Sequence, residues 1–322
     1  MTSDLKEAPD EAPNEELPTS LSFNPIYGSF LGCGEIRQTH EDFYVKEILD
    51  VEPCGEGEHV YLWVRKAGQN TGWVAEQLAK YLSLRHFDIG YGGMKDRHAV
   101  TEQWFSCWLP GKDEPNWEGL AIEGAKVLKS IRHKSKLRRG THKANQFRLV
   151  VRNFNLQNCT RQEFEKRLQQ IADTGFPNYF GPQRFGFEGR NLDRARALFR
   201  GEKQDRKKRG IYLSSVRSYL FNLQLSDLIE KGIWPLEGAG WLFGLSPHRD
   251  IEIPPLDEGL LFWGEGLISS GLKAMQRNWR VLPKDFSWEF GENSLELSFT
   301  LPVGAYATSL LHEIINCEGS NK

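Results

Sequence analysis

What most constrains the fold of this chain is the order in which its hydrophobic periodicities change. Phe43, Val45, Glu47 and Leu49 alternate with their neighbours, and after the turn Pro53-Cys54-Gly55 the run His59-Val60-Tyr61-Leu62-Trp63-Val64 alternates again. A period of two sends every second side chain to one face, so both runs predict strands. The period then lengthens: Trp73, Val74, Gln77, Leu78, Tyr81 and Leu82 recur at helical spacing behind Asn70-Thr71, either of which could cap a helix. Two further strands are predicted over 103–109 and 146–151, separated by a basic run. Thr160-Arg161-Gln162-Glu163 is a capping box that opens a helix with Phe164, Leu168 and Ile171 on one face, and Gly175 and Pro177 stop it.

Beyond that stop the texture differs. Residues 178–189 are dense in glycine and aromatics, 214–231 read as a buried helix through Val216, Leu220, Leu223 and Leu228, and 232–266 are rich in Gly, Pro and Trp, which predicts loops. Leu295, Leu297, Phe299 and Leu301 then alternate as a strand, and a short helix is predicted over 305–315. Strands early, a different middle and a strand at the end predict one domain interrupted by another. The expected division is an acidic, disordered tail over 1–24, a first domain over 25–174 and 281–322, and an insertion over 175–280.

A chain of 322 residues, 39% hydrophobic, can fill one large core or two smaller ones. It has no run of about 18 apolar residues, and residues 1–20 have neither a basic start nor an apolar stretch, so no membrane span and no signal peptide are expected. A soluble, cytoplasmic monomer is expected. Five cysteines without a C-x-x-C pair predict free thiols, not a disulfide framework or a zinc ribbon. The formal balance of 41 basic against 43 acidic residues hides a segregation. Six acids lie in residues 1–20, ten Lys/Arg and no acid in 126–152, and nine bases against three acids in 190–209. Such fields attract polyanions, phosphate above all, although a basic run can also be a solvated face.

The sharpest local feature is Gly90-Tyr91-Gly92-Gly93-Met94-Lys95-Asp96-Arg97-His98-Ala99-Val100-Thr101. Its glycines allow a tight turn or close approach to the backbone, and Asp96 stands between two cations. A cation within reach would keep that carboxylate ionised, as a nucleophile requires, while the plainer use of such a residue is to shape a turn or cap a helix. G-x-x-x-x-G-K-[ST] is absent, so this is not a phosphate loop. His98, His133 and His142 show no ligand spacing, and no G-x-S-x-G surrounds a serine, so neither a metal nor an acyl-transfer triad is expected.

The segment Gly92 to Phe105 (GGMKDRHAVTEQWF) closely resembles the signature of the TruD family of tRNA pseudouridine synthases. Other family motifs follow in order: Glu41-Asp42-Phe43, Gly55-Glu56-Gly57-Glu58-His59, Arg132-His133-Lys134, Asn178-Tyr179-Phe180-Gly181-Pro182-Gln183-Arg184-Phe185-Gly186 and Ala307-Thr308-Ser309. The resemblance runs from about Gly32 to Ile315. It implies an α/β (α+β) pseudouridine synthase catalytic domain with a mostly antiparallel sheet, interrupted by a TRUD insertion domain. It also implies a tRNA uridine, at position 13 in the D-arm, as substrate, with no metal and no small-molecule cofactor. Asp96 is then the nucleophile, and Phe43, Asn145 and Tyr306 the substrate contacts. Tyr306 departs from the phenylalanine usual in the family; Phe43 read alone is equally a core residue, and Asn145 a turn residue. Arg37, upstream of Phe43, is expected to bring a basic group to Asp96. The rival readings are a non-catalytic RNA-binding protein, which would not need an ionised carboxylate, and a metal-dependent RNA hydrolase, which would need clustered acids.

Overall fold

The computed structural model describes residues 21, 23, 25–50, 52–235 and 237–319, so the acidic stretch expected to be disordered lies outside the described residues except at Leu21 and Phe23. The chain divides into two compact units, one formed by Pro25–Phe176 and Val281–Lys322 and the other containing Pro177–Arg280.

The first unit is built on a ten-stranded sheet. Its elements are β1 (Gly32–Ile36), β2 (Phe43–Leu49), β3 (His59–Ala67), α1 (Thr71–Tyr81), β4 (Ile89–Tyr91), β5 (Val100–Trp108), β6 (Ala125–His133), β7 (His142–Leu156) and α2 (Arg161–Thr174). After the second unit come β8 (Lys284–Phe290), β9 (Ser294–Pro302), α3 (Ala307–Leu311) and β10 (Ile315–Gly319). The strand order is β8-β9-β7-β2-β5-β3-β6, with β1 between β7 and β10 and β4 on β5. Among the described residues, all pairs in this sheet are antiparallel except β2 with β5 and β1 with β10. The sheet is therefore mostly antiparallel, and the unit is of the mixed α/β class.

Two hydrophobic cores form against it. The Phe164, Leu168 and Ile171 face of α2 buries with Phe43 and Val45 of β2, Phe147, Leu149 and Val151 of β7, and Leu295, Leu297 and Phe299 of β9. Val74, Ala75, Leu78 and Ala79 of α1 bury with Val60, Leu62 and Val64 of β3 and with Phe105 and Cys107 of β5. Each fully buried large apolar side chain contributes about 1.5–3 kcal/mol, which outweighs weak local propensity. The α2 capping box is present as predicted, with Thr160 and Glu163 bonded reciprocally and Gly175 ending the helix at φ 79°. Cys33, Cys54, Cys107 and Cys159 are free.

Three expectations are corrected. The basic run does not merely separate two strands: most of it is β6 and the start of β7, paired with β3, β2 and β9. The helix expected over 305–315 shrinks to α3, and Ile315 begins β10, parallel to β1. So short a helix holds few internal hydrogen bonds, whereas the open edge of β1 offers the backbone of 315–319 a ladder. The loops expected over 232–266 contain a strand, Ala239–Leu242, and most of a helix, Leu261–Ser269.

In the second unit, helices Arg190–Phe199 and Arg209–Glu230 are joined by Leu261–Ser269 and by a two-stranded antiparallel sheet of Ala239–Leu242 with Met275–Asn278. In its glycine- and aromatic-rich segment Tyr179, Phe180 and Phe185 are buried, while Phe187 is exposed. Asn222 brackets Phe180 by accepting its N–H (2.9 Å) and donating to its carbonyl (3.0 Å), and the Arg277 guanidinium lies 3.8 Å over the Phe180 ring while bonding Asn178. No helix among the described residues is long and apolar enough to cross a membrane.

Candidate active site

Parallel pairing of β2 with β5 puts the starts of both strands at one end of the sheet, with Tyr44 opposite Val100. The loop before β2 carries Arg37 and the loop before β5 carries Asp96, and the two meet: Arg37 Nη2 lies 2.9 Å from Asp96 Oδ2. The other carboxylate oxygen accepts the His98 N–H at 3.0 Å. Asp96 keeps 22% of its side chain accessible, so the carboxylate is oriented but open to a reactant. The flanking cations, either of which the sequence made a candidate partner, turn elsewhere. Lys95 Nζ pairs with Glu47 at 2.9 Å and donates to Asn145 Oδ1 at 2.8 Å, and Arg97 Nε donates to the Gly68 carbonyl.

The backbone of this loop is fixed by buried polar side chains from three elements. Thr71, at the start of α1, leaves capping aside; its hydroxyl accepts the Lys95 N–H (3.0 Å) and donates to Gln103 Oε1 (2.9 Å). Gln103 of β5 donates to the Gly93 carbonyl (3.2 Å), and Lys66 of β3 donates to the carbonyls of Asp96 (3.1 Å) and Gln69 (2.9 Å). Burial lowers the Lys66 ammonium to about 8, Asp96 opposing and Lys95 reinforcing the shift. Burial and the Lys95 charge also lower the His142 imidazole. The glycines serve close approach: a Cβ at Gly90 would strike the Leu137 carbonyl, and at Gly93 would stand 3.0 Å from His142 Cε1. Held at these points, the carboxylate is preorganised, the condition under which a fixed group can lower a barrier.

Phe43 is 4% exposed, with Arg37 4.2 Å over its ring and the Phe147 ring edge-on at 6.3 Å, so one face of the ring is covered by the cation. Asp42, beside it, is buried and takes Arg152 at 2.7 Å and the Thr39 N–H at 2.8 Å, anchoring the turn that carries Arg37. Burial raises the Asp42 carboxyl, but the Arg152 and Thr39 hydrogen bonds outweigh it and leave it below the ordinary value. Asn145 is half-buried on β7, opposite Glu47 on one side and Leu301 on the other. Tyr306 follows the Val303-Gly304 turn and is half-buried at the N-cap of α3. The geometry thus gathers Arg37, Phe43, Asp96 and, through Lys95, Asn145 into one network; Tyr306 lies five residues beyond Leu301, the β9 partner of Asn145.

Sequence reading missed Glu47, Lys66, Thr71 and Gln103 as parts of the site, although a signal was there. Glu47 continues the Phe43 and Val45 face of β2, and Lys66 continues the Val60, Leu62 and Val64 face of β3, so each polar group stands in a buried register. No three His, Cys, Asp or Glu side chains gather as a metal cluster among the described residues.

Comparison with known proteins points the same way. The family description tRNA pseudouridine synthase D (TruD) matches residues 29–204. A tRNA pseudouridine synthase D of Cellvibrio japonicus is 44% identical over 318 residues, covering 92% of this chain and 94% of its own length. One from Methylococcus capsulatus is 38% identical, covering 90% and 93%. The crystal structure of a Methanosarcina mazei protein bearing the same TruD designation superposes with a TM-score of 0.64 at 21% identity, over 90% of this chain and 95% of that one, a likeness of fold.

Proposed function

The chain belongs to the tRNA pseudouridine synthase D family, isomerases that turn tRNA uridine into pseudouridine, and from that membership we propose that it acts on uridine 13 of the D-arm with Asp96 as the covalent catalyst. The observation that carries this reading is the accessible Asp96 carboxylate, held by Arg37 and the His98 amide at the end of a loop braced from three sides. In the reaction the N1–C1′ bond breaks, C1′ joins C5, and the proton lost from C5 is balanced by one gained at N1. The target base must leave its stack to reach the carboxylate, at a cost of a few kcal/mol. Asn145 is suited to receive it: Lys95 occupies the amide oxygen, which leaves the amide N–H groups to donate to a uracil carbonyl. Phe43 supports the Arg37 guanidinium from below, and the base meets that stack. Tyr306 supplies a second aromatic face. Pro25–Phe176 with Val281–Lys322 is the catalytic domain in this reading, and Pro177–Arg280 the insertion. The enzyme works where tRNA is, in the cytoplasm.

Asp96→Asn and Asp96→Ala should abolish pseudouridine formation in purified tRNA while tRNA affinity stays within a few-fold, since the lost charge is an anion in a site for a polyanion. Turnover by either variant would remove Asp96 from the reaction. Mapping pseudouridine in tRNA from cells with and without the protein tests position 13.

A further inference from the structure

The loop ahead of β4 and the basic loop between β6 and β7 form an arginine–aromatic surface that the catalytic network does not use. Phe87 is 58% exposed. Its ring is set in place: the Arg85 guanidinium lies 4.0 Å from the centroid, and Asp88 clamps that guanidinium through Nε at 3.0 Å and Nη2 at 3.3 Å. Lys136 donates to the Phe87 carbonyl, which ties the basic loop to this turn. On the strand that follows, Arg139 donates to the Tyr91 hydroxyl at 3.2 Å with its guanidinium 5.5 Å from the ring centroid. The two loops are pinned together by Gly140 N–H to the Gly92 carbonyl (2.8 Å), and Leu137 N–H to Ser106 Oγ (3.0 Å) fixes the basic loop on β5. The same chain runs on from Tyr91 through Gly92 and Gly93 to Asp96.

We propose that Phe87 and Tyr91, flanked by Arg85, Lys136 and Arg139, form a second RNA-contact surface that stacks an unpaired nucleotide of the tRNA outside the catalytic pocket. The occupant follows from the chemistry. One face of the Phe87 ring is taken by a guanidinium and the rest is open, an arrangement that accepts a flat base, while Tyr91 is half-buried against Phe105 and borders it; the adjoining cations suit the phosphates on either side of the base. Phe87 lies nine residues from Asp96, at most about 30 Å along even a fully extended chain. One folded RNA can therefore occupy both. A base held here would add affinity without touching the reacting atoms. The proposal rests on tRNA being the substrate.

Phe87→Leu keeps apolar bulk and loses the π-face. The Kd for tRNA and the KM should rise about 5- to 150-fold, with kcat at saturating tRNA and the melting temperature unchanged. Because stacking releases no counterions, the log–log salt slope should not move, and Phe87→Tyr should restore affinity. Unchanged Kd and KM in Phe87→Leu would overturn the proposal, as would a weakening that Phe87→Tyr fails to rescue. Absence of pseudouridine formation by the wild-type protein would instead overturn the proposed function; the affinity measurements still judge the surface, and a wild-type protein that binds no RNA sinks both.

Discussion

Arg37 has a left-handed backbone, φ 61°, which costs a residue bearing a Cβ about 1–3 kcal/mol. The return on that strain is a guanidinium that stacks on Phe43 and pairs with Asp96 at 2.9 Å. Glycine adopts the same φ freely, so Arg37→Gly separates the backbone from the charge. Its thermal stability should stay within about 1 kcal/mol of wild type. Turnover should fall about 10- to 150-fold, the worth of a charge-assisted hydrogen bond of about 1.5–3 kcal/mol to the carboxylate proposed as catalyst. A variant that loses stability and keeps its rate would make Arg37 a packing residue. The buried Lys95–Glu47 pair obeys a related logic: neither charge could be removed alone without stranding the other, so the pair specifies the loop's position more than it adds stability.

At the level of elements, the basic run is a structured feature. Lys126, Lys129 and Arg132 sit on β6, Lys143, Arg148 and Arg152 on β7, and Arg138 and Arg139 on the exposed loop between them. Some of these charges are spent inside the fold, as Arg152 on Asp42 and Arg132 on the Leu109 and Lys112 carbonyls, which leaves the loop as the part best placed to meet phosphate. Charge reversal there, Arg138→Glu with Arg139→Glu, should weaken tRNA binding and reduce the magnitude of the log–log salt slope by about 0.7–0.9 for each phosphate that the loop no longer neutralises. Affinity measured across a salt series checks this. An unchanged slope would make the loop a solvated face.

Across the whole chain, the segment leading into β1 is tied to the end of α3 by one buried acid. Glu313 Oε2 accepts the Ile26 N–H at 2.9 Å, and burial pushes its carboxyl up to about 8, against the Ile26 and Tyr27 amides and Arg167. An acid whose folded-state pKa is raised is protonated in the native state while the unfolded chain has already ionised. Its contribution to stability is complete below its ordinary pKa of 4.5 and is lost as pH rises toward 8. Denaturant midpoints of the wild-type protein should therefore include a decline across that window, on the order of a few kcal/mol. Glu313→Gln, neutral throughout and still able to accept the Ile26 amide, should lack it. Parallel curves for the two proteins would show that Glu313 does not titrate in this interval.

The amino-acid sequence by itself determined much of this protein: the family, the strands β2, β3, β5, β7 and β9, and the α2 helix from its capping box at Thr160 to its stop at Gly175. Each is a local pattern of period, turn chemistry or motif, written in consecutive residues. Only the tertiary structure decided among the candidate cations for Asp96: Arg37, expected beside it from the sequence, lies 59 residues away and reaches it through the parallel pairing of β2 with β5, while Lys95 and Arg97 do not serve it. It likewise turned Lys95 away from Asp96, buried Phe43 beneath a guanidinium, and made Ile315 onward a strand. Periodicity reports which face of an element is covered. What covers it is settled by strand order, and strand order is a property of the folded sheet.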